Sequence, residues 1–203
     1  MSSCDCHSEQ TDTLQRSVLA TLLAINGLMF AAEFGLGILA DSTGLIADSL
    51  DMLADATVYG LSLYAVGRAA SVKTNAARLS GYFQIALAIG VFLDIVRRFI
   101  FGSEPVSTLM FGVGLVALAA NVACLLLLAK HRKGEVHIRA SWIFSKNDVI
   151  ANLGVMGAGV LVHLTGQKWP DLAIGLLIVI VVFRGGLEIT KDAKNESCLD
   201  YED

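Results

Sequence analysis

The chain has 203 residues, of which 55% are hydrophobic and 17% charged, with a mean hydropathy of +0.64 and a formal net charge of −4. A soluble domain carries about 25% charged residues, so this composition predicts an integral membrane protein that spends most of its length on spans. The small acidic excess, with no long basic stretch to track phosphates, argues against nucleic acid as a partner.

Residues 1–13 read as a polar, acidic tail containing Cys4, Asp5, Cys6 and His7. These are soft donors that suit Zn²⁺ or Cd²⁺, and they read equally well as incidental thiols in an unstructured tail. Six apolar runs follow, at about 14–40, 45–68, 76–101, 109–130, 137–164 and 170–193. Each is near or above the roughly 20 residues a helix needs to cross a bilayer. The first is too long and too weakly basic at its front for a cleaved signal peptide and is taken as a retained span. Long continuous runs predict helices rather than barrel strands, and short connections predict antiparallel neighbours. The expected fold is an all-α integral membrane protein, a six-transmembrane-helix bundle over residues 14–193. A short polar tail, residues 194–203, closes the chain as given.

Lys and Arg gather at one set of span ends: Arg16, Arg68, Lys73, Arg78, Lys130, Arg132, Lys133, Arg139, Lys191 and Lys194. The other set carries Arg97, Arg98 and Lys168. The positive-inside rule then places both termini in the cytoplasm of a cell (inner) membrane. Thiols there stay reduced, so Cys4, Cys6 and Cys198 are not expected in disulfides. Cys124, inside an apolar run, reads as a small buried hydrophobe. Gly35, Gly37, Gly112, Gly114, Gly154, Gly157 and Gly159 read as close-packing positions between helices.

Asp48, Asp51 and Asp55 interrupt the second run. A carboxylate in bilayer hydrocarbon costs about 2.5 to 3.5 kcal/mol, so three facing lipid would cost about 8 to 10 kcal/mol. Spacings of three and four residues put them on one helix face, turned away from lipid. Asp148 repeats the theme in the fifth run, with Ser141, Ser145 and Asn152 on the same face. Counted from opposite ends, Asp55 lies about 15 Å and Asp148 about 16 Å into the membrane, in a core about 30 Å thick. Acids from two helices at one depth, without a matching set of bases, make a midplane site for a divalent cation. Asp51, Asp55 and Asp148 are its expected ligands. Asn152 and Ser145 are further donors, and Asp48, nearer the outer side, reads as a group that orients the ligands or as one that lines the exit path.

The segments EFGLGILADSTGLIADSLDMLAD, from Glu33 to Asp55, and RASWIFSKNDVIANLGV, from Arg139 to Val155, resemble those of the cation diffusion facilitator family. The first corresponds to the family's His-or-Asp-x-x-x-Asp, here Asp51 and Asp55. The second corresponds to its fifth-helix His-x-x-x-Asp, here Phe144 and Asp148. The resemblance implies a six-span, proton-coupled exporter of zinc and related divalent metals, working as a homodimer. It implies no resident cofactor and no enzyme, and no catalytic set of His, Ser or Lys stands at membrane depth. Two departures bear on it. Phe144 replaces the usual imidazole and leaves an all-oxygen set, which leans toward harder ions such as Mn²⁺ while keeping Zn²⁺ available. Family members also continue into a cytoplasmic metal-binding domain, and this chain is expected to be a short member without it. The expected function is a divalent metal exporter, zinc first and cadmium or manganese as alternatives, by metal/proton antiport. A non-transporting membrane metal-binding or sensor module is the competing reading.

Among the remaining polar residues, Asn26 and Glu33 are expected to make interhelical hydrogen bonds, with direct ligation of the metal as the alternative, and Asp94 to pair with Arg97 or Arg98 at helical spacing. His131 and His137 flank a basic loop that disfavours a metal, and His163 reads as an interfacial residue. Lys146 falls on nearly the opposite face from Asp148 and has no assigned role.

Overall fold

The computed structural model describes the backbone of residues 3–65, 68, 70–131 and 136–199, and the side chains of 16–64, 68, 72, 74–129 and 148–194. Six helices follow one another: α1 Ser3–Leu39, α2 Thr43–Ala65, α3 Ala70–Phe101, α4 Ser107–His131, α5 Val136–Thr165 and α6 Trp169–Leu199. The six apolar runs are thus six helices, with inner boundaries within a few residues of expectation. Five of them, all but α2, are long and apolar enough to cross a membrane. The protein is an integral membrane protein with an all-α bundle.

Beyond the apolar runs, helix extends back to Ser3 in α1 and on to Leu199 in α6. Apolar periodicity marks only the part of a helix that meets lipid or core. The polar extensions add backbone hydrogen bonds to an existing helix, which avoids the cost of a new nucleus.

α2 is the central element and touches each of the other five helices. It fails the hydropathy test that its neighbours pass because of its three acids, and those acids also explain its place. A helix carrying carboxylates at three- and four-residue spacing must turn that face away from lipid. Residues 42–49 are all buried. Around α2, α3 packs most extensively on α6, and α4 on α5. One apolar cluster, including Leu45, Val91, Met110, Val155 and Ile178, fills the end of the bundle away from the termini. A second, of Leu22, Tyr59, Cys124 and Leu128, joins α1, α2 and α4 at the other end.

Close helix approach uses part of the expected glycine set. A Cβ on Gly37 would lie 3.2 Å from Leu45, one on Gly114 2.9 Å from Met156, and one on Gly159 3.0 Å from Met110; Gly154 faces Ile174. At Gly35, Gly112 and Gly157 a Cβ would meet nothing within 4 Å among the described residues.

The turn between α1 and α2 is the tightest point. Asp41 adopts a left-handed backbone, φ 47°, which is unusual for a residue with a side chain. Its surroundings hold it there. Arg98 of α3 pairs with its carboxylate and donates to its carbonyl at 2.7 Å. The backbone N–H of Glu104 donates to its other carboxylate oxygen at 2.7 Å. Arg98 also meets Asp94 at 2.6 Å, and Arg97 meets it at 2.7 Å, so Asp94 pairs with both expected arginines.

Candidate metal centre

Asp51 and Asp55 lie one turn apart midway along α2, and Asp148 lies midway along α5. α2 and α5 run antiparallel, so acids placed at similar depth from opposite ends meet. The Asp148 carboxyl is within side-chain hydrogen-bonding reach of both Asp51 and Asp55. Its strongest electrostatic neighbours are themselves acids, Asp55, Asp51 and Asp48.

Among the described residues, no group of three His, Cys, Asp or Glu side chains is gathered around one point with metal-holding geometry. The acids are neighbours in pairs, Asp148 with Asp51 and Asp148 with Asp55. Tyr59, one turn beyond Asp55, donates its hydroxyl to Asp55 at 3.4 Å, a long contact. A small cavity between α2, α3 and α6, lined by Leu87, Val91, Ile178 and Val182, reaches Asp51.

Asn152 is fully buried one turn beyond Asp148 and donates its amide to the Asp148 carbonyl at 2.8 Å. Its own side-chain oxygen has no partner. Asp48 is 1% exposed, one turn from Asp51. Ser141, Phe144, Ser145 and Lys146 lie on α5, but their side chains are outside the described residues, as are those of His131, His137 and the cluster of Cys4, Cys6 and His7. Cys124 is buried and free, and Asn26 of α1 donates to its sulfur at 3.8 Å, an interhelical contact of the kind expected for Asn26. His163 is exposed near the end of α5, in keeping with an interfacial residue.

Glu33 is fully buried, and its neighbour across the α1–α2 interface is Asp48, another acid, within side-chain hydrogen-bonding reach; with both ionised neither oxygen of Glu33 receives a hydrogen bond. Residue type and spacing show that Glu33 faces inward; only the packing of α1 on α2 shows what it faces.

A family model for the cation efflux transmembrane domain matches residues 19–196. The chain belongs to the cation efflux, or cation diffusion facilitator, family. Three curated family relatives illustrate the similarity. A cadmium, cobalt and zinc/H(+)-K(+) antiporter of Bacillus velezensis is 25% identical over 201 residues, covering 92% of this chain and 64% of the relative. The metal cation efflux system protein CzcD of Cupriavidus metallidurans is 24% identical over 173 residues, covering 79% of this chain and 54% of the relative. The zinc transporter ZitB of Pectobacterium atrosepticum is 26% identical over 207 residues, covering 94% of this chain and 63% of the relative. The chain thus spans somewhat under two thirds of the length of these family relatives.

Proposed function

We propose that this protein exports divalent metal ions across a cell membrane, with metal and protons exchanging at Asp51, Asp55 and Asp148. The observation that carries the reading is the meeting of Asp148 from α5 with Asp51 and Asp55 from α2 midway along the bundle. Buried carboxylates that neighbour one another need a counter-ion or protons. A divalent cation supplies the first and displaces the second, because a carboxylate must be deprotonated to bind metal. Metal arriving from one side releases protons, and protons arriving from the other release metal. A modest shift of α5 against α2 draws the two acid pairs around a single ion, and rocking of the same helices alternates access.

Zinc is the first candidate cargo, with cadmium or manganese as alternatives. The names of the Bacillus velezensis and Pectobacterium atrosepticum proteins support zinc, and the first also supports cadmium and proton exchange. An all-oxygen donor set at Asp51, Asp55 and Asp148 keeps manganese open. The distribution of Lys and Arg supports cytoplasmic termini. Family membership supports a homodimer in the bilayer.

The test is flux into sealed proteoliposomes with Zn²⁺, Cd²⁺ and Mn²⁺ under an imposed pH gradient. Protein-dependent uptake that collapses with the gradient is the expected result. Saturable metal binding without flux of any ion would replace transport by a sensor or storage role.

A further inference from the structure

Five buried or half-buried acids converge on the interior of this bundle: Glu33, Asp48, Asp51, Asp55 and Asp148. One divalent ion held by the three central aspartates offsets two of their charges and leaves Glu33 and Asp48 uncompensated. Glu33 is 0% exposed and Asp48 1%. The two side chains face each other within hydrogen-bonding reach. With both ionised neither can donate, and both oxygens of Glu33 and Oδ2 of Asp48 are then without a partner, so the pair takes either a shared proton or a cation. Water does not offset the cost of such a pair at full burial.

A fourth unpartnered oxygen stands at the same level. The antiparallel α2–α5 contact sets Asp51 against Asp148, and a Cβ on Gly44 would lie 3.6 Å from Val155. Asp48, between Gly44 and Asp51, therefore comes level with Asn152, between Val155 and Asp148. Oδ1 of Asn152 is buried and unpartnered. These oxygens lie one helical turn, about 5 Å, from the central aspartates toward the end of the bundle away from the termini.

We propose that Glu33 and Asp48, with the side-chain carbonyl of Asn152, form a second divalent-cation station through which the ion passes after leaving Asp51, Asp55 and Asp148. The inference rests on the transport reading above and deepens it. The station is built of oxygen donors alone, so it takes hard divalent ions. An ion there is repelled by a newly bound central ion, which drives it outward. Conduction through adjacent weak sites works in this way.

Mn²⁺ is the probe, because oxygen sites accept it and its electron spin reports a nearby second ion. The full-length protein in lipid discs is titrated by equilibrium dialysis and followed by electron paramagnetic resonance. The parent is expected to hold two ions per chain with spin–spin broadening. Glu33→Gln and Asp48→Asn each lose one ion and the broadening while keeping the other ion, which also shows that the variants are folded. Asp55→Asn loses the central ion and keeps the outer one. A parent that binds one ion, lost in Asp55→Asn and unchanged in Glu33→Gln, overturns the second station and leaves the transport reading standing. A parent that binds none, or that ignores Asp55→Asn, overturns the central site and this inference together. Should Glu33→Gln fail to fold, the parent's stoichiometry and broadening still decide.

Discussion

The backbone N–H of Thr43, at the first turn of α2, donates to the carboxylate of Asp171 on α6 at 2.6 Å. The same carboxylate accepts from Gly44 N–H at 2.9 Å and from the Ser42 hydroxyl at 2.6 Å. The first N–H groups of a helix have no partner within it, and a negative charge there also meets the positive end of the helix dipole. The cap comes from a residue 128 positions away in sequence. It therefore fixes not only the start of α2 but also the position of α6 against it. The contact is tight: a Cβ on Gly175 would lie 2.7 Å from the Thr43 methyl.

Asp171→Ala leaves buried donors at Ser42, Thr43 and Gly44 unsatisfied. The expected loss is about 2 kcal/mol or more of stability, seen as a lower melting midpoint in lipid discs. Asp171→Asn keeps an acceptor and should fall between the two. A midpoint unchanged by Asp171→Ala would mean that water or a neighbouring carbonyl replaces the cap.

The α3–α6 crossing depends on two facing glycines. A Cβ on Gly81 would sit 2.9 Å from the carbonyl oxygen of Gly186, and a Cβ on Gly186 would sit 3.0 Å from that of Gly81. The side chains of Thr190 and Ile85 crowd the same space, and the facing carbonyls are backbone atoms, which no rotamer change can move aside. Gly81→Val is expected to separate the helices at a cost of about 3 kcal/mol. Gly90→Ala, on the same helix with nothing within 4 Å, is the matched control and should be neutral or slightly stabilising. Equal melting midpoints for the two variants would contradict the crossing.

What could be read from the chain follows the range of the forces involved. The six spans come from hydropathy summed over some twenty residues, and the inward turn of Asp51, Asp55 and Asp148 comes from the cost of charge in lipid. Both are properties of single helices. The Asp171 cap is not: Asp171, directly after Pro170, reads as a helper of its own helix's first turn, and nothing local points to Thr43. The hold of Arg98 on Asp41 was hidden in the same way, since Asp94 alone accounts for Arg98 at helical spacing. Glu33 was legible as buried and polar, but pairing an acid with an acid breaks the rule by which partners are guessed.

Phe144 lies one turn before Asp148 on α5, where the family motif places an imidazole. Phe144→His adds a nitrogen donor to a set of oxygens and is expected to raise transport of Zn²⁺ relative to Mn²⁺. Competitive uptake of the two ions by parent and variant measures the ratio directly. An unchanged ratio would mean that position 144 does not face the central aspartates.

Metal and protons compete for Asp51, Asp55 and Asp148, so metal binding must weaken as pH falls and each bound ion must release protons. Asp51→Asn, Asp55→Asn and Asp148→Asn each remove one site that can be charged or protonated while keeping size and burial. Each variant is expected to bind metal at least about tenfold more weakly, since losing a direct ligand costs no less than losing a group that orients one. Each should also release fewer protons per ion, and none should transport. Calorimetry of Zn²⁺ binding in two buffers of different ionisation enthalpy counts the protons, and uptake by proteoliposomes reads the flux. The sign is fixed: the parent's apparent Kd rises on acidification, and the variants' rises less steeply. A variant that keeps the parent's proton count while losing transport would show that its carboxylate acts on helix packing rather than on the exchange of metal for protons.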